Sequence, residues 1–292
     1  LNSGRWGFRH GIFILLLQNG ERTLMGPRQP RKPRSFNLMN QNPRSVLISG
    51  ATSGIGRALA LKYAEKGITM ALCGRNVDRL ADVADACKFQ GATVSTSVLD
   101  IQDRAETAKW VLAAEAACPL DLVIANAGIS GGTAGDQESE DQARDIFAIN
   151  LAGTLNTIFP ALPAMRKRGQ GQIAVMASLA AFRGMPSAPA YAASKAAIRS
   201  WGEGLRGELA PSGIGVSVIC PGFVESRITD ANTFKMPFLM PADRAAHIIQ
   251  KGLTANRGRI AFPWPMVFGA WLLGALPDGL AHTLTSRLPK KG

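Results

Sequence analysis

Between residues 45 and 262 the chain alternates short apolar runs with longer stretches of helical period, and this alternation narrows the possible folds most. Ser45-Val-Leu-Ile-Ser49 is a short apolar run ending at Gly50, which reads as a buried strand. Residues 55–66 follow with helical spacing and stop at Gly67. Further strands are expected at 69–73, 93–97, 120–125, 172–176, 215–219 and 259–262. Further helices are expected at 77–89, 102–116, 138–149, 151–168, 189–209 and 241–255. Parallel strands need crossovers, and helices of this length supply them. The pattern therefore predicts βαβ units and a doubly wound parallel sheet of about seven strands, with helices on both faces. No repeat or linker interrupts 45–262, so one domain is the simplest account.

Charge separates the ends from the body. Residues 1–44 carry eight Lys/Arg against one acid, residues 257–292 five against one, and the middle twenty against nineteen. The leader 1–44 is dense in Pro and Arg, a composition that blocks helix and sheet and predicts disorder. Its apolar run, residues 12–17, is too short to span a bilayer. The alternative reading of the leader is translated sequence upstream of a true start near Met39. Aromatic residues do not interleave with the basic ones at 27–34, which argues against a nucleic-acid partner. Four scattered cysteines without a CxxC pair fit a reducing, cytoplasmic setting. Three histidines with no ligand-like spacing argue against a metal site.

The first strand runs into Ser49-Gly50-Ala51-Thr52-Ser53-Gly54-Ile55-Gly56 and then a helix. Glycines let the backbone turn tightly and approach a ligand closely. The helix start offers unpaired N–H groups and partial positive charge to a pyrophosphate. The spacing Gly-x3-Gly-x-Gly is neither G-x-G-x-x-G nor an ATP-binding P-loop. A Rossmann-type dinucleotide site is the expectation. An acid at the end of the second strand would hold a ribose 2′-hydroxyl and favour NAD. The sequence gives Cys73-Gly74-Arg75-Asn76 instead. Arg75 can fork onto a 2′-phosphate, so NADP(H) is preferred over NAD(H).

Tyr191-Ala-Ala-Ser-Lys195 lies in the long helix, and i, i+4 spacing puts both side chains on one face. A phenol titrates near ~10, too high for easy proton exchange at neutral pH. A nearby cation lowers that value, so Tyr191 can act as general acid or base. Ser178, just past a strand, can hydrogen-bond the same substrate oxygen.

These motifs, in this order, resemble the short-chain dehydrogenase/reductases, in their compact single-domain branch. The resemblance covers about residues 45–262. It rests on Gly50-x3-Gly54-x-Gly56, Asp100-Ile101, Asn126-Ala127-Gly128, Asn150, Ser178, Tyr191-x3-Lys195 and Pro221-Gly222. It implies hydride transfer between NADP(H) and a carbonyl or alcohol. Tyr191 would be the proton donor and acceptor, Lys195 would lower its pKa and hold the nicotinamide ribose, and Ser178 would orient the substrate oxygen. Asn150 would hold a water in a relay through Lys195. Asp100, with Ile101, would meet adenine, Ser53 and Ile55 would join the phosphate turn, and Asn126-Ala127-Gly128 would line the cofactor. Pro221, Gly222 and Val224 would flank the nicotinamide. The resemblance also implies a homodimer or homotetramer built through helices 151–168 and 189–209. Ser49, Ala125 and Ser226 depart from the family's usual residues without removing a catalytic group. The alternative is a non-catalytic NADP(H)-binding sensor or membrane-associated scaffold.

Two segments are specific to this chain. Phe234, Met236, Phe238, Leu239 and Met240 form an apolar lid after Pro221-Gly222, which predicts a hydrophobic small-molecule substrate. Residues 260–276 carry no charge, and Pro263 and Pro265 are expected to break the first turns, leaving 266–276 as a helix. The arm 263–292 is read as a peripheral membrane contact at the inner face of a membrane, or as a cover over the cleft or a partner subunit.

Overall fold

The computed structural model describes residues 43–131, 138–230, 232 and 234–286. The leader predicted for 1–44 lies outside the described residues except for its last two positions. Seven parallel strands form one sheet: β1 (Ser45–Ser49), β2 (Thr69–Gly74), β3 (Thr93–Val98), β4 (Leu122–Ala125), β5 (Gly171–Met176), β6 (Ile214–Pro221) and β7 (Arg259–Phe262). Their order is β3-β2-β1-β4-β5-β6-β7. The chain leaves β1 towards one edge, returns, and leaves again towards the other. β1 and β4 are therefore the neighbours where the winding reverses, and a ligand crevice opens there.

The helices are α1 (Gly54–Tyr63), α2 (Val77–Phe89), α3 (Arg104–Ala117), α4 (Glu140–Phe147), α5 (Gly153–Ile158), α6 (Leu162–Arg168), α7 (Pro189–Leu209), α8 (Arg227–Asp230), α9 (Ala242–Thr254), α10 (Trp264–Ala275) and α11 (Asp278–Thr285). Side chains alternate across a strand, so β1 feeds two cores. Val46 and Ile48 pack with Leu59, Leu80 and Ile249 of α1, α2 and α9. Leu47 packs on the other face with Val111, Ile158 and Ile198 of α3, α5 and α7. Burial on both faces explains why β1 and β4 read as unbroken apolar runs.

α7 lies close on the sheet because of Gly202. A Cβ there would come within 2.8 Å of methyls of Val175 and Val218. This close seat carries the helix start, with Tyr191 and Lys195, to the C-terminal edge of β5 and β6.

Several expectations are corrected. The expected helices 138–149 and 151–168 are joined by a π-helical turn at Ala148–Ala152 into one continuous helical run. The run Glu140–Arg168 is long and apolar enough to cross a membrane, yet half of its apolar window is buried in the fold. Pro263 and Pro265 do not break the arm's helix. Pro263 caps it and Pro265 occupies its first turn, where a missing N–H costs no helical bond. The helix is therefore Trp264–Ala275 rather than 266–276. α1 stops at Tyr63, three residues before the expected end.

Candidate active site

Every strand that contributes to the site does so from its C-terminal end. After β1, Gly50 and Gly54 adopt φ values of 68° and 51°, a left-handed backbone that favours glycine. Gly56 is needed for a different reason. Its Cβ would sit 2.2 Å from the Gly50 carbonyl oxygen and 2.4 Å from Asn126 Nδ2. Asn126 ties the reversal point together, donating from Nδ2 to the carbonyls of Ser49 (3.1 Å) and Gly50 (3.0 Å). In return the Ser49 hydroxyl accepts from the Asn126 and Ala127 N–H groups, each at 3.2 Å. Ser53 precedes α1 without a side-chain cap, so the helix start keeps N–H groups available to an anion.

The resulting cleft measures about 970 Å³. Its wall includes Gly50, Ser53, Gly54, Ile55, Arg75, Asp100, Ile101, Asn126, Ala127 and Gly128. Ser178, Tyr191, Lys195, Pro221, Gly222 and Val224 complete the set read from the sequence. Two of the predicted residues stand behind the wall. Gly56 packs against the turn, and Asn150 is fully buried. Asn150 Nδ2 donates to the Ile129 carbonyl (2.9 Å) and to Ser194 Oγ (3.0 Å), and its Oδ1 accepts from the Ile129 N–H (2.8 Å). It thus clamps the segment after β4 to α7 from within the π-helical turn, a distortion common near functional sites.

At the adenosine end, Arg75 and Asp100 form an exposed ion pair at 3.7 Å, an arrangement of little net strength that a ligand can rearrange. Sequence reading missed Arg79, in the first turn of α2. It lines the cleft, and its Nε is buried without a partner among the described residues. The signal available was its position four residues after Arg75. Only the fold shows that α2 starts against the cleft. Arg227, from α8, also lines the wall and was missed.

At the other end, Lys195 Nζ lies 5.8 Å from the centre of the Tyr191 ring and donates to the Met176 carbonyl at 2.8 Å. Burial lowers the Lys195 pKa to about 8, with Cys220 pulling weakly the other way. Burial raises the Tyr191 phenol above its ordinary value, and a hydrogen bond with Ser178 opposes this. Burial thus sets the net direction of the phenol, while the Lys195 ammonium lies on the ring side and is directed at a main-chain carbonyl. Gly128 keeps the space beside Lys195 open, since a Cβ there would stand 3.3 Å from Nζ.

The remaining wall is largely apolar, with Arg183, Arg227 and Lys235 also on it. Phe182, Met185, Phe223 and Phe234 line it, joined by Met266, Gly269, Ala270 and Leu273 of α10. Met266 rests on Gly222, where a Cβ would meet its sulfur at 2.9 Å. Arg183 holds this helix down, donating to Asp278 at 2.5 Å and to the Leu276 carbonyl at 3.4 Å. The arm therefore covers the cleft, one of the two roles expected for it. Lid residues Phe238 and Leu239 are largely exposed, and only Phe234 of the five predicted lid residues lines the wall.

A doubly wound sheet with a glycine turn at its reversal point, and a Tyr/Lys/Ser group across the crevice, defines a nicotinamide-dinucleotide oxidoreductase. The short chain dehydrogenase family model matches residues 44–236, and the chain belongs to the short-chain dehydrogenase/reductase family. An uncharacterized oxidoreductase of Myxococcus xanthus is 36% identical over 246 residues, covering 84% of this chain and 97% of its own. A short-chain dehydrogenase of Sphingobium yanoikuyae, solved with NADPH, is 25% identical with a TM-score of 0.70, covering 84% of this chain and 96% of its own. A short-chain dehydrogenase/reductase of Burkholderia phymatum, solved with NAD, is 23% identical with a TM-score of 0.72, covering 86% and 97%. Relatives of this fold thus take either nicotinamide cofactor.

Proposed function

We propose that the protein interconverts a hydrophobic carbonyl compound and its alcohol with NADP(H), Tyr191 giving or taking the proton. The observation that carries this reading is the meeting of Tyr191, Lys195 and Ser178 on one wall of the cleft that the glycine turn opens. The bound cofactor supplies the hydride. The chain's own residues do the rest. Ser178 and Tyr191 hydrogen-bond the substrate oxygen, and Tyr191 moves a proton at that atom. Lys195 is placed to favour the phenolate when a base is needed. Asn150 acts from behind, holding the Ile129 segment and α7 in register.

The fit to a dinucleotide rests on the uncapped start of α1, the glycine cradle and the orphaned Arg79 Nε. Arg75 and Arg79 give the adenosine end two guanidinium groups, which supports NADP(H) over NAD(H). Titrating NADPH and NADH into the full chain, with tryptophan energy transfer as readout, tests this. Tighter NADPH binding is expected, with a 10–100-fold loss in Arg75→Ala/Arg79→Ala, the order expected for charge-assisted bonds of about 1.5–3 kcal/mol. NADH binding should hardly change in that variant. Equal affinity for both cofactors in the parent chain overturns the preference.

The Phe182, Phe223 and Phe234 wall supports an apolar substrate. Turnover of small polar ketones alone would refute it. Four free cysteines, three of them buried, support work in a reducing, cytoplasmic compartment. An exposed Phe159, in the turn just after α5, against Trp201 of α7, ring centres 6.0 Å apart, supports pairing through residues 151–168 and α7 as a homodimer or homotetramer. A monomer by light scattering would exclude it. The arm offers a second apolar surface, which supports peripheral contact with a membrane.

A further inference from the structure

α10 has two apolar faces. Met266, Gly269, Ala270 and Leu273 look into the cleft. Trp264, Phe268, Trp271 and Leu272 fall on the opposite side and are exposed, the three aromatics by 79%, 58% and 56%. Phe268 and Trp271 touch each other, with ring centres 6.1 Å apart, so they share that face. A helix that merely roofs a cleft needs one apolar face, and its other side should be polar. The next helix repeats the pattern, burying Ala281 and Thr285 while exposing Leu280 and Leu284.

We propose that this outer face is a docking surface for an anionic lipid bilayer. The aromatics of α10 would seat at the headgroup boundary, and the roof of the cleft would lie against the membrane. Charge complementarity chooses the occupant. In the sequence no Asp or Glu occurs between Asp243 and Asp278, Arg257 and Arg259 precede α10, and Arg287, Lys290 and Lys291 follow α11. An apolar face with tryptophan and phenylalanine, flanked by Lys and Arg, is the composition of an interfacial helix. Area argues against a second copy of the chain. At ~200 Å² per aromatic side chain, the three expose on the order of 400 Å². A stable dimer buries about 800 Å² per partner. α10 is 12 residues long, too short to span a bilayer, so contact is with one leaflet.

The contact does not depend on the oxidoreductase reading. The consequence that the substrate arrives from lipid does depend on it. The test floats the full chain with vesicles of phosphatidylglycerol and phosphatidylcholine, and with phosphatidylcholine alone. The full chain should float with the anionic vesicles, and Trp264→Ser/Phe268→Ser/Trp271→Ser should bind at least tenfold less. NADPH binding by this variant should match the parent, which shows that it has folded. Acyl-brominated lipid should quench the parent's tryptophan fluorescence, a reading that needs no variant. The proposal is overturned if the parent stays at the bottom with anionic vesicles, or if the variant floats equally. It is also overturned if light scattering without lipid shows a dimer in the parent and a monomer in the variant. A chain that floats but binds no NADPH rejects the enzyme reading alone. One that binds NADPH and never floats rejects the surface alone.

Discussion

Tyr191 and Lys195 are shifted by the same cause in opposite directions, because burial penalises whichever form is charged. A raised phenol is protonated at neutral pH and ready to donate. Carbonyl reduction should therefore be flat with pH through neutrality, whereas alcohol oxidation, which needs the phenolate, should quicken as pH rises. Paired pH profiles of kcat/KM check this, and a flat oxidation profile would count against Tyr191 as the base. Tyr191→Phe should lower kcat by about 10²–10⁴-fold, the usual contribution of a positioned acid or base. NADPH affinity should stay within threefold. For Lys195 the lowered value means that the unfolded chain holds the proton more tightly between pH 8 and the ordinary lysine value. The buried ammonium thus costs stability in full below pH 8 and is relieved as pH rises. Lys195→Met should exceed the parent most in relative stability at neutral pH, and that advantage should shrink by on the order of 2–3 kcal/mol towards pH 10.5. Thermal melts of the cofactor-free proteins across this range measure it.

Among the elements, two glycines of helices call for opposite outcomes. Gly207, in the last turns of α7, has open space where a Cβ would go. Gly207→Ala should raise stability by about 0.5–1 kcal/mol through helix propensity alone. Gly56→Ala drives a Cβ into the Gly50 carbonyl and Asn126, so it should lower the melting temperature and abolish NADPH binding together. The same contrast explains what could be read from sequence. β1, α7 and β7 end where their patterns end, because Gly50, Pro189 and the Gly-free run 259–262 mark them locally. The π-helical turn at Asn150 has no such mark, since it answers to bonds with Ile129 and Ser194. Arg79 was missed because its role depends on where α2 begins in space. Pro265 does not break α10 because it stands in the first turn, where its missing N–H has no helical partner to lose. Tyr191, Lys195 and the glycine turn were legible because each needs only local spacing.

For the whole molecule, the arm couples the cleft to the surface. Arg183, from the turn after β5, holds Asp278 and the Leu276 carbonyl across more than ninety residues. Asp278 is fully exposed, so water screens the pair and it adds little to global stability. Arg183→Ala should therefore leave global stability nearly unchanged, yet speed proteolytic cutting in 276–286 several-fold. Limited proteolysis followed by mass spectrometry distinguishes this from a general loss of fold.

The bonds from Asn126 to the Ser49 and Gly50 carbonyls reach across 77 and 76 residues. The glycine turn after β1 accordingly lacks these two bonds until the segment after β4 has been made. Long-range closures of this kind form late. On the proposed reading, a chain still lacking that segment would hold the dinucleotide poorly, and occupancy would report on complete folding. Dinucleotide at one hundred times its dissociation constant would add about 2.7 kcal/mol to the finished molecule and nothing to its fragments. The cell's nicotinamide pool would act as a selective preservative of correctly assembled copies.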